Sequence, residues 1–189
     1  MRDSTATKES IQRTALRLFA EKGITETTIR DIASTAKIAE GTMYRHYASK
    51  DDLAWELFAE NYTAVGRELR KIQKREKTAR ARLEGMIRYF CNVYEKDAVM
   101  FRYLFLARHR QVLRLTPRMP NPYFVFRSVI KEGMTRGEIP KEDPDVAASM
   151  VLGVILQVID TAILARRIRS PIKKLSGTII AASLRVLNI

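Results

Sequence analysis

The sequence predicts an all-α protein of about nine helices: a short N-terminal group of three, then a longer helical region. Three observations lead there. No stretch alternates apolar and polar residues with the period of a strand. Apolar residues instead recur three and four apart along most of the chain. Asn121-Pro122, Asp143-Pro144 and Ser170-Pro171 each place a good N-cap residue before a proline. Proline at the first helical position loses nothing, because its missing N–H would have no partner there.

The elements follow in order. The first helix is expected over 7–22, with Ile11, Ala15, Leu18 and Phe19 as its apolar stripe and Gly23 as its stop. The second starts near Thr28, where Asp31 three residues on makes a capping-box variant. It turns Ile29, Ile32, Ala33 and Ala36 inward. A short third helix is expected over 40–47. Ser49 caps a long fourth helix carrying Leu53, Leu57, Val65, Leu69 and Ile72. The charged stretch 67–82 reads as its solvated end and a connection. Leu83, Ile87, Phe90 and Tyr94 mark a fifth helix, and Asp97 can cap a sixth. The seventh begins at Asn121-Pro122 and ends at Gly137. The eighth is expected over 144–168 and the ninth from 171 to near the C-terminus.

Composition narrows the chemistry. The chain has 189 residues and a formal net charge of +13, from 34 Lys+Arg against 21 Asp+Glu. Such a field attracts polyanions without choosing between nucleic acid, anionic membrane and acidic ligands. Residues 1–50 hold nine Lys+Arg and six Asp+Glu, only +3, so the excess charge lies elsewhere. The single cysteine, Cys91, allows no internal disulfide and no cysteine-cluster zinc site. With only His46 and His109 beside it, no metal or other cofactor is expected. A lone thiol suits a reducing cytoplasm, and the first seven residues lack the apolar core of a signal peptide. The apolar stretch 146–165 is long enough to span a bilayer, but Ser149, Gln157, Asp160 and Thr161 interrupt it. A buried helix at a subunit interface is the expected reading, with no membrane partner.

The informative segment is TTIRDIASTAKIAEGTMYRHYASKDDL, residues 27–53. It gives helix, short turn, short helix, with a turn of the length a helix-turn-helix needs. The short helix is a poor core element. Gly41 lets backbone approach a groove, while Thr42, Tyr44, Arg45 and His46 end in groups that meet phosphates or base edges.

This segment resembles the DNA-binding signature of the TetR family, through Thr28, Ile29, Asp31, Ile32 and Ala33, then Gly41, Thr42, Tyr44, His46, Tyr47, Ser49, Lys50 and Leu53, without gaps. Length, helix count and Gly-Glu-Ile-Pro at 137–140 are also similar to that family. The family pattern commonly has glycine where Lys37 stands and serine where Ala39 stands. A left-handed backbone at Lys37 would cost about 1 kcal/mol, and the missing cap about as much. The resemblance implies a helix-turn-helix DNA-binding domain over 1–50 and a ligand-binding and dimerisation domain over 51–189. It implies Thr28 at a phosphate, Thr42 and Arg45 at base edges, and Tyr44, His46 and Lys50 on the DNA backbone. Lys37 can reach a phosphate, and Tyr47 is expected to pack between the first and fourth helices.

The resemblance also implies a homodimer through the last two helices, reading a near-palindromic operator in double-stranded DNA. Val151, Val154, Ile155, Val158, Ile159 and Ile163, with Leu175, Ile179, Ile180, Leu184 and Leu187, are its expected apolar contacts. Gly153 and Gly177 would allow close backbone approach. A small-molecule effector is expected among Tyr89, Phe90, Tyr94, Arg102, Tyr103, Phe124 and Gln157. No Asp or Glu occurs over 98–131, which favours a neutral or anionic apolar ligand. The expected function is a cytoplasmic, nucleoid-associated, ligand-released regulator, with repression as the family default. Three other readings stand beside it. One is a ligand-independent DNA-binding interaction protein of the same fold. An enzyme lacks a Ser–His–Asp set, metal-ligand spacing, a phosphate loop or paired carboxylates. A membrane-surface protein using 67–82 leaves the 27–53 match unexplained.

Overall fold

A computed structural model describes residues 4–116, 118–163, 168 and 170–189. Among these there are nine α-helices and no strand: α1 (Ser4–Lys22), α2 (Ile29–Ala36), α3 (Glu40–His46), α4 (Lys50–Arg75), α5 (Ala79–Lys96), α6 (Ala98–Gln111), α7 (Pro122–Thr135), α8 (Pro144–Ile163) and α9 (Ile172–Val186). A single 3₁₀ turn, Val112–Arg114, follows α6. Residues 164–167, the expected last turn of the eighth helix, lie outside the described residues.

The residues pack as two units, 4–62 with 98–116, and 63–97 with the described residues from 118 onward. In the first, α1 packs against α2 and α6, and α2 against α3. Its core gathers Ile11, Ala15 and Phe19 from α1, Ile32 from α2, Met43 from α3, and Leu53 and Phe58 from α4. The sixth helix joins this unit because Tyr103 is swallowed by it. The ring stacks on Phe19 at 5.9 Å between centroids, and the hydroxyl donates to the Ala54 carbonyl. Burying such a side chain is worth about 1.5–3 kcal/mol, and its hydroxyl is satisfied, so the site is stable.

In the second unit α5 packs on α7 and α9, and α8 on α7 and α9. Met86, Ile87, Phe126, Val129, Ile130, Val151, Ile155 and Ile159 are buried there. Gly66 is needed by close approach. A Cβ would stand 2.6 Å from the Pro120 carbonyl oxygen, so only glycine lets the link before α7 lie on α4. At the other end of α7, Gly137 takes φ 73° and Glu138 N donates to Gly133 O at 2.8 Å. This left-handed stop lets the Glu138 carboxylate accept from the amide of Ala79, the first residue of α5.

Two of the three proline starts form as the local chemistry dictates. Asn121 Oδ1 accepts from Tyr123 N at 2.9 Å, and Asp143 Oδ1 from Asp145 N at 2.8 Å. The third differs: Pro171, in extended conformation with ψ 131°, is itself the N-cap, and α9 starts at Ile172 without a side-chain cap.

The phase of the last two helices also differs from expectation. Val151, Ile155, Ile159, Ile179, Ile180, Leu184 and Leu187 are buried in the chain's own core instead of facing outward. The outward stripe of α8 is Val146, Met150, Gly153 and Gln157, at the spacing of one helix face. Val146 is 52% exposed and Met150 40%. By length and composition α8 could cross a membrane, the one such helix among the described residues.

Asp145 at the start of α8 ties it to α7. Arg127 donates to both its oxygens, Nε to Oδ1 at 2.7 Å and Nη2 to Oδ2 at 2.9 Å. The Tyr123 hydroxyl donates to Oδ1 at 2.6 Å. The Arg127 bonds, then that of Tyr123, pull the carboxyl from its ordinary 3.8 down to about 2. A depressed carboxyl stabilises the fold above its unfolded pKa and loses that contribution as pH falls through the folded one. Urea unfolding should therefore show wild type more stable than Asp145→Asn by a constant margin above about pH 4, shrinking toward pH 2. A margin unchanged down to pH 2 contradicts the latch.

Candidate nucleic-acid interface

The interface is built within the first unit on a rigid base. Thr27 is fully buried, and its hydroxyl donates to Gly23 O at 2.8 Å, closing the link between α1 and α2. Lys50, at the start of α4, clamps the same link. Its Nζ donates to Thr27 O at 2.6 Å and Thr25 O at 3.1 Å. The ammonium expected on a DNA phosphate thus spends two of its three donors within the chain. Sequence reading overlooked both contacts, since nothing in the residue types marks them.

The second helix opens on a full capping box. Thr28 Oγ1 accepts from Asp31 N, and Asp31 Oδ2 accepts from Thr28 N, each at 3.0 Å. The Thr28 amide, then its hydroxyl, hold the Asp31 carboxyl below its usual range. The helix ends at Lys37, whose φ 56° and ψ 47° are left-handed. A lysine there stores about 1 kcal/mol of strain that glycine would not. The turn is closed by Lys37 N on Ser34 O at 3.2 Å and Ile38 N on Ala33 O at 3.0 Å.

The third helix buries one side chain only, Met43. Its N-cap is Ala39, which makes no side-chain cap bond. Tyr44 is 58% exposed, and Arg45 and Gly41 face solvent, while Thr42 and His46 are half-buried. Arg45 Nη2 donates to Thr42 Oγ1 at 3.2 Å, so these two expected base readers already touch. Tyr47, by contrast, is core: its hydroxyl donates to Glu56 at 3.4 Å and Lys8 lies over its ring at 5.6 Å. Glu56 also takes Lys8 at 2.7 Å and Gln12 at 3.2 Å. That cluster holds α1 and α4 on either side of the residue following α3.

Residues 11–61 match the family described as bacterial regulatory proteins, tetR family. Over 165 residues the chain is 27% identical to a Mycobacterium tuberculosis transcriptional regulator named for mycofactocin biosynthesis. That alignment covers 82% of this chain and 79% of the other. The matched segment carries the N-terminal DNA-binding part of that family, and the rest of the chain is similar to its regulators. Solved structures share its fold. A Clostridium perfringens protein named for fatty acid metabolism regulation aligns with a TM-score of 0.79 and 19% identity, covering 95% of this chain and 97% of that one. FadR from Bacillus subtilis, solved in complex with stearoyl-CoA, aligns at 0.72 with 21% identity, covering 96% and 98%.

The expected effector residues fall in both units. Arg102 and Tyr103 lie on α6 in the first unit, where Tyr103 is core, as described above. Arg102 Nε is buried without a hydrogen-bond partner. In the second unit Tyr89, Phe90 and Tyr94 share α5. Tyr89 and Tyr94 are half-buried, and their hydroxyls are pushed above the usual range by burial. Phe90 packs on Phe126 at 5.8 Å within the core. Phe124 is 55% exposed, and Gln157 faces out, its Nε2 donating to Asp160 at 3.3 Å. Core packing claims Tyr103 and Phe90, while Phe124 and Gln157 look outward. No group of three or more metal-ligating side chains occurs among the described residues.

The uncapped start of α3 gives a direct check on this local geometry. Ala39→Ser should raise stability by about 0.5–1 kcal/mol, read as a higher urea midpoint at unchanged m-value. No gain, or a loss, contradicts the placement of Ala39 at the N-cap.

Proposed function

We propose that two copies of this chain bind one near-palindromic operator and that a small effector releases them. The observation that carries this is the exposure pattern of α3. A helix that buries Met43 alone leaves Thr42, Tyr44, Arg45 and His46 free to meet DNA. Arg45 reads guanine and Thr42 supports it at base edges. Tyr44, His46 and Thr28 fix register on phosphates, and Lys37 adds a cation beside them. Gly41 has open space where a side chain would stand, so backbone can approach the duplex. Lys50 keeps one N–H for a phosphate after its two carbonyl bonds. Function then divides at about residue 50, the head in 1–50 and effector binding with dimerisation in 51–189.

The dimer forms on the outward faces of α8 and α9. Val146 and Met150 are exposed there, and Gly153 and Gly177 meet nothing within 4 Å of an added Cβ. Their lack of a side chain has no use inside the chain, and a facing backbone supplies one. The α8 stripe is thus covered by a second copy, not by lipid, and the protein is cytoplasmic. The effector is an apolar molecule, neutral or with an anionic head. Support comes from the partnerless Arg102 Nε, from the lack of Asp and Glu over 98–131, and from the stearoyl-CoA held by the B. subtilis relative. Effector and operator then compete through one coupling free energy, and repression is the mode.

Selection of bound sequences from a random duplex pool tests the reading. Arg45→Ala should relax preference at one base position per half-site, a change of about 1–3 kcal/mol. Tyr44→Ala should weaken binding evenly across sequences. If both variants select and bind as wild type does, α3 is not the reading helix.

A further inference from the structure

Leu106 is a large apolar side chain left 40% exposed on α6, and a recess opens beside it in the first unit. The recess holds about 130 Å³ on the seam where α6 packs on α1. Phe19, Tyr103, Leu106 and Ala107 form its apolar walls, and Gly23, Ile24 and Thr25 close one side. A Cβ added at Gly23 would meet nothing within 4 Å, so the turn after α1 leaves this space open. Phe19 and Tyr103 stack with 27° between their planes, and the Tyr103 hydroxyl is already spent on the Ala54 carbonyl. These two residues therefore offer ring surface and no polar group. The polar part of the lining is the exposed Arg110, with Thr25. No Asp or Glu is among the lining residues, and none occurs on α6. A cavity of about 150 Å³ takes one benzene ring, so this recess has room for a ligand of one ring.

We propose that the recess seats a monocyclic aromatic carboxylate, its ring against Phe19, Tyr103 and Leu106 and its carboxylate on Arg110. A guanidinium fork meets both oxygens of a carboxylate, which a neutral ring lacks. Arg102, which supports the effector reading above, is not in this lining, so the seat is a second one. Its wall is the link from which α2 starts. Thr27 donates to Gly23 O in that link, and Thr25 O accepts from Lys50. A ligand against the link and bound DNA then bias each other by one factor. That consequence rests on the reading of α3 and the release mode given above, whereas the seat itself does not.

The test uses the full chain, titration calorimetry with sodium benzoate and with benzyl alcohol, and thermal midpoints to check that each variant is folded. Wild type should bind benzoate and Arg110→Gln about tenfold more weakly, while both bind benzyl alcohol alike. Leu106→Ala should weaken both probes, because it removes apolar wall and no charge. A merely structural role for Arg110 would not separate the two probes. The seat is overturned if wild type binds no benzoate, if it binds benzyl alcohol as tightly, or if Arg110→Gln binds benzoate as wild type does. Fluorescence anisotropy with a duplex reads the consequence. Benzoate should weaken duplex binding by wild type severalfold and leave that of Arg110→Gln unchanged at the same concentration. Benzoate that binds at Arg110 without altering duplex affinity overturns the coupling. Failure of the α3 reading shows separately, as Arg45→Ala and Tyr44→Ala proteins that bind duplex as wild type does.

Discussion

A seven-residue helix has no stability of its own in water, and α3 buries one side chain. Everything the head does depends on how its neighbours hold so slight an element. The link between α1 and α2 is closed by Thr27 and clamped by Lys50. The Thr28–Asp31 box fixes where α2 starts, and the left-handed Lys37 fixes where it turns. Glu56 gathers Lys8, Gln12 and Tyr47 just beyond the end of α3. Polar contacts of short reach therefore do for α3 what a wide apolar face does for longer helices. The outer surface of α3 is left free because its own packing demands so little of it.

Charge is placed with the same economy. The first fifty residues carry only +3, and residues 51–62 add four acidic side chains and no basic one. A broad positive field over the head is absent, so attraction to a polyanion must be local. Lys37, Arg45 and His46 line one groove beside the start of α3. The basic stretch 67–82 belongs elsewhere, and several of its cations are spent inside the chain. Arg82 bonds Glu132 at 2.7 Å and the Glu76 carbonyl at 2.8 Å, and Lys71 pairs with Glu68.

How far the structure could be read from residues alone follows the reach of each interaction. Capping is local, so Thr28, Asn121 and Asp143 were legible from a few neighbours, as was Gly137 at the end of α7. Pro171 was not, because an extended ψ there displaced the expected cap by one residue. Helix α8 is apolar nearly all round, so its sequence supported two phases, and only tertiary packing chose Val151, Ile155 and Ile159 for the core. Aromatic residues between 88 and 131 looked like one pocket in sequence. Those on α6 include Tyr103, which packs against α1, a long-range choice that composition does not encode. Within the interface, Thr42, Tyr44 and Arg45 were visible through their poor fit to a core.

Amide hydrogen exchange of the full chain with and without duplex DNA bears most directly on the central claim, that a weakly buried α3 and the turn before it form the DNA-reading surface. The account predicts that bound duplex slows exchange over residues 37–47 and leaves 67–82 unchanged. Protection confined to 67–82, with α3 exchanging as in the free protein, would contradict it.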